Sequence, residues 1–105
     1  MTLPELKEML KTLGLPIAYY CFDVGQVPDL PYIVYYADED VGFEADDITY
    51  YEQCSVTIEV YSKKKDMELE KKVKKLLNDN QLQYKSYESF LDSEDMHLKA
   101  YEINI

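Results

Sequence analysis

The spacing of hydrophobic residues changes along the chain, and each change marks an element. Leu3, Leu6, Leu10 and Leu13, with Met9 beside them, recur at steps of three and four, which lines one side of a helix. Thr2 and Glu5 stand at capping-box spacing, Pro4 fits the first turn, and Gly14 with Pro16 ends the element. IAYYCF (17–22) predicts a short strand and DVGQVPDLP (23–31) a loop. YIVYYA (32–37) is apolar at both parities, as suits a strand covered on two sides.

The clearest alternation lies within ITYYEQCSVTIEVYSKK (48–64). Cys54, Val56, Ile58 and Val60 share one face, and Ser55, Thr57, Glu59 and Tyr61 the other. Asp66 then caps a second helix whose stripe is Leu69, Val73, Leu76 and Leu77, flanked by lysines and ended by NDN (78–80). LQYKSYESFLDS (82–93) and MHLKAYEINI (96–105) predict an antiparallel pair joined near Ser93–Asp95. In the last strand Met96, Leu98 and Ala100 have one parity, and Tyr101, Ile103 and Ile105 the other. A bulge near Ala100 or cover on both faces would account for that.

The order α-β-β-β-α-β-β predicts a single α+β domain over residues 1–105. An antiparallel or mixed sheet of about five strands would carry both helices on one face. Two helix stripes cover one face only, so the second needs another cover, for which a partner subunit is economical.

Charge narrows the function classes. Net charge is −10 and no residue is arginine, which disfavours specific nucleic-acid binding, since base and phosphate recognition lean on arginine and a positive field. The start MTLPELKEML carries acids and helix periodicity where a secretory leader would have a charged start and an apolar run. No apolar run is long enough to span a bilayer. Cys21 and Cys54, both in apolar stretches, are expected to be buried thiols in a cytoplasmic setting.

YYADEDVGFEADDITYY (35–51) holds six carboxylates, Asp38, Glu39, Asp40, Glu44, Asp46 and Asp47, around Gly42. As a calcium loop starting at Asp38 it fails, because glycine falls fifth rather than sixth and the twelfth residue is Thr49. A loose divalent site, a solvated loop and a loop that docks on a neighbour all stay open. Val41, Phe43 and Ile48 favour docking, since a solvated loop does not need them. Clustered acids lack the separated environments that paired catalytic carboxylates require. His97 is the sole histidine, and glycine-rich phosphate loops are absent from the sequence. No catalytic, cofactor-binding or metal residues are assigned, and the chain is not expected to be an enzyme.

Seven lysines, Lys63, Lys64, Lys65, Lys71, Lys72, Lys74 and Lys75, concentrate between 63 and 75. They form either a wet helix face or a patch that pairs with the acidic loop of a neighbouring copy.

The segment 30–73 adds a likeness. LPY (30–32) opens a strand, a polar loop ends in Asp47 and Tyr50, and TIEVYSKKKD (57–66) runs into a helix beginning near Asp66. With YEINI (101–105) closing the chain, the pattern resembles small tail proteins of long-tailed phages and prophages of Gram-positive bacteria, the tail-terminator, tail-completion and head–tail joining group. The resemblance implies a non-enzymatic structural protein of the virion tail, assembled in the host cytoplasm. It implies rings, commonly hexameric, that end the tail tube and contact tube and head-connector proteins, with the loop 38–49 docking on neighbours. The rival reading is an acidic DNA mimic that inhibits a host nucleic-acid-binding protein.

Overall fold

The computed structural model describes residues 1–38 and 54–105. Helix α1 (Leu3–Lys11) begins with the expected capping box: the Glu5 N–H donates to Thr2 Oγ1 at 3.2 Å, and the Thr2 N–H donates to Glu5 Oε1 at 2.8 Å. Helix α2 (Met67–Asp79) begins at Asp66, whose Oδ1 accepts from the Leu69 N–H at 3.0 Å. These bonds satisfy donors that the first turn cannot pair.

Five strands, β1 (Ile17–Tyr19), β2 (Tyr32–Ala37), β3 (Ser55–Ser62), β4 (Tyr84–Leu91) and β5 (Met96–Asn104), form one mixed sheet in the order β1-β2-β3-β5-β4. β1 lies parallel to β2 and the other pairs are antiparallel. The expected α+β class and element order are those observed. β1 is shorter than the apolar run 17–22 suggested, because Tyr20 takes a positive φ of 71° and turns the chain out of the sheet. The strand expected over 48–64 is seen from Ser55 to Ser62, extended by two backbone bonds between Cys54 and Ile105. Residues 48–53 lie outside the described ones.

One face of the sheet packs on the helices. Ile33 and Tyr35 of β2, Val56, Ile58 and Val60 of β3, and Tyr101 and Ile103 of β5 join Leu6, Leu10, Leu69, Val73 and Leu77 in a single core. Burying each such aliphatic side chain contributes about 1.5–3 kcal/mol.

The other face carries no helix among the described residues, yet Tyr32, Val34, Thr57 and Ala100 are buried there. The parallel β1–β2 pair explains this. Parallel neighbours need a crossover, and the connection lays Tyr20 against Tyr36 and Phe22 against Tyr32 on that face. In β5, Ala100 of one parity is buried as well as Tyr101 and Ile103 of the other. The β3–β5 register runs unbroken from Ser55↔Asn104 to Ser62↔His97, so cover rather than a bulge at Ala100 accounts for its apolar character. One expectation fails: Cys21 is exposed, since it follows the turn at Tyr20, and Cys54 is half-buried.

Candidate functional site

The open face is built by alternation and register. Pairing Val34 with Glu59 and Tyr36 with Thr57 puts Glu59 within reach of two tyrosines. Its Oε2 accepts from the Tyr36 hydroxyl at 2.9 Å and its Oε1 from the Tyr61 hydroxyl at 2.7 Å. Burial, then the bond to Glu59, pushes the Tyr36 hydroxyl up to about 12 and raises that of Tyr61 further. Asp38, exposed at the end of β2, accepts from Thr57 at 2.6 Å and Ser55 at 2.8 Å. Burial and the nearby charges of Glu102, Glu59 and Asp38 also raise the half-exposed Tyr87.

Between the crossover and the strand ends this face sinks into a groove of about 380 Å³. Tyr32, Val34 and Glu59 line it together with Tyr20, Phe22 and Val27 of the crossover. Tyr61, Leu91, Glu94 and Met96 complete the opposite side. Tyr32 and Tyr61 lie with ring centroids 5.3 Å apart, and Phe22 meets Tyr32 edge-on at 5.2 Å, separations that favour aromatic contact.

A second cluster lies on the helix side. Lys65 Nζ sits 2.7 Å from Glu88 Oε1 and 3.0 Å from Glu70 Oε2, while His97 Nε2 lies 3.0 Å from the same Glu88 oxygen. Hydrogen bonds from Lys65 and His97 hold the Glu88 carboxyl down to about 2. The donor atoms of Glu70, Glu88 and His97 fall within 4.8 Å of one another, a set that divalent metals accept. The Lys65 ammonium already bonds both carboxylates and offsets part of their charge, so the cluster reads as a tie between the β3–α2 turn, α2, β4 and β5. Deeper in the core, the fully buried Tyr101 hydroxyl meets no hydrogen-bond partner among the described residues.

Of the interface residues expected from sequence, Asp38 belongs to the open face. Glu39, Asp40, Val41, Phe43, Glu44, Asp46, Asp47 and Ile48 lie outside the described residues. Lys63, Lys64 and Lys65 form the exposed turn before α2, and Lys71, Lys72, Lys74 and Lys75 are exposed on α2 itself. Among the described residues, Asp38 and the seven lysines thus lie on opposite layers. Sequence reasoning missed Tyr36, Glu59 and Tyr61 as a network, and Glu70, Glu88 and His97 as a cluster. The alternation of β3 did place Glu59 beside Tyr61, but Tyr36 enters only through the β2–β3 register.

No helix among the described residues is long and apolar enough to cross a membrane. No protein-family model, curated protein or solved structure matches this chain.

Proposed function

We propose that this chain is a non-enzymatic structural protein that associates with copies of itself head to tail. One observation carries the reading: the lysines of α2 are exposed on the helix layer, while Asp38, Glu59 and Glu102 belong to the opposite face of the sheet. Unlike patches on opposite sides of one molecule cannot satisfy each other internally. They favour heterologous contacts, which close into a ring when the rotation permits and otherwise extend as a filament. The described residues stop at Asp38, just past β2, and resume at Cys54, just before β3, so the acidic segment is joined to the ends of those two strands.

The likeness in 30–73 to tail-terminator and head–tail joining proteins supplies a setting for such an assembly. In it, a ring at the end of a phage tail would stop tube growth and offer a face to tube and connector proteins. Its chemistry is shape and interface complementarity, with no substrate turned over.

Light scattering over a range of protein and salt concentrations tests this. A multi-subunit species that shrinks as salt rises is the expected result, because exposed charges are screened beyond about 8–10 Å at physiological ionic strength. A monomer throughout would overturn self-association. The carboxylates of the open face also suit a DNA mimic, and competition with duplex DNA for a basic host protein, without self-association, would favour that reading.

A further inference from the structure

The groove on the open face differs from the helix side in how its charge is balanced. On the helix side, Glu70 and Glu88 share Lys65, and Asp79 holds Lys75 at 2.9 Å. The groove contains Glu59 and Glu94, and none of the described residues lining it is cationic. Glu59 receives two tyrosine hydroxyls, one on each oxygen. A carboxylate offers about four lone-pair sites, so acceptor capacity remains. Around it stand the rings of Tyr20, Phe22, Tyr32 and Tyr61.

Aromatic faces around the Glu59 carboxylate, with Glu94 at the rim of this open groove, suit an ammonium on an apolar stem. The rings attract the cation and cover the methylenes, and the carboxylate takes its hydrogen bonds. We propose that this groove is the receiving half of the head-to-tail contact and that it takes a lysine from α2 of a second copy. The assignment rests on the self-association reading above.

Charge complementarity also selects the entering residues. On α2 the buried stripe is Leu69, Val73 and Leu77, so at 100° per residue Lys71 and Lys75 point outward and Lys74 stands on the flank beside Lys71. Lys74 forms no ion pair among the described residues, and Lys71 has only a loose one, 3.9 Å from Glu68. Among the described residues, neither Lys71 nor Lys74 is held closely to its own copy. Lys75, held by Asp79, is not the leading residue.

Two variants and their mixture test the assignment. Glu59→Lys spoils the groove, and the double variant Lys71→Glu with Lys74→Glu spoils the entering face. Each alone should associate about tenfold or more weakly than the wild type in light scattering at low salt. Mixed in equal amounts they should recover, because every contact in an alternating assembly is then either wild-type or charge-swapped. Glu94→Lys, at the exposed rim, guards against misfolding of the Glu59 variant and should weaken association in the same direction. Wild-type association that persists in all three variants would overturn the groove assignment and leave self-association standing. So would failure of the mixture to recover while both variants keep wild-type circular dichroism. A wild type that stays monomeric overturns both.

Discussion

Along β3, Val56, Ile58 and Val60 point into the leucines of the two helices, while Thr57, Glu59 and Tyr61, alternating with them, point to the open face. The first set is dry and held by packing. The second is held by hydroxyl-to-carboxylate bonds, with Thr57 buried as deeply as the valines although it is polar. A packed face resists changes of pH and is damaged by lost volume. A face of tyrosines and carboxylates tolerates lost volume better and depends on ionisation. The same strand thus contributes stability on one side and a charged, recognisable surface on the other.

The sharpest way to break this contrast is to truncate adjacent residues. Ile58→Ala should cost about 2–5 kcal/mol, the range for a buried aliphatic that leaves a cavity. Thr57→Val, which keeps shape and removes one donor to Asp38, should cost about 0.5–1.5 kcal/mol. Urea denaturation of the two variants gives the comparison directly. Equal losses would mean that the open face is packed like the core.

The hydroxyls provide the next test. Tyr61→Phe deletes a donor to Glu59 and should cost about 1 kcal/mol. Tyr101→Phe removes a buried hydroxyl that has no partner among the described residues, and should be neutral or stabilising by about 1 kcal/mol, since its desolvation is uncompensated. Thermal melts of both variants should move in opposite directions or differ clearly in size.

Alkali should act on the open face first. The Tyr36 hydroxyl stands at about 12 in the folded protein against an ordinary 10.0, and Tyr61 is raised as well. A raised value means that the folded state favours the neutral phenol. That stability is fully present below pH 10 and is lost as pH rises from 10 through about 12. Tyrosinate absorbance should lag behind that of free tyrosine, and Glu59→Gln should shorten the lag.

Acid should have the smallest effect, on the helix side. Glu88 is held at about 2 against an ordinary 4.5. Its contribution is present above 4.5 and disappears as pH falls from there through about 2. Because Glu88 is exposed, the slope should be shallow, and Glu88→Gln should flatten it in acid-titrated melts. Prior loss of the slope in Lys65→Ala would identify the ammonium as the main partner.

Local signals in the sequence carried the helices. Thr2 with Glu5, and Asp66 before Leu69, are capping signals complete within one turn. The faces of β3 were equally readable, because alternation needs no knowledge of partners. The length of β1 was not, since a tyrosine at positive φ runs against its own preference and is set by the crossover that follows. Strand direction was also invisible: IAY and YIVYYA read alike whether they pair parallel or antiparallel. The groove requires the crossover, the β2–β3 register and the β4–β5 turn to meet, so residues from Tyr20 to Met96 enter one hollow. Lys65, Glu70, Glu88 and His97 meet for the same reason, through pairings far apart in the chain, whereas composition alone pointed to a wet lysine face or to a patch for an acidic neighbour.

The position of β5 has a consequence in time. β3 finds its first neighbour, β2, nearby in the chain, but its second is β5, and Ser55 waits for Asn104 roughly fifty residues later. Until β5 arrives, one edge of β3 is unpaired and β4 has nothing to lean on. The emerging chain can wind its helices early, yet the sheet closes late and as one event. In that interval the free edge of β3 is a template for a strand from another copy. A chain cut before Met96 should therefore aggregate rather than fold partway.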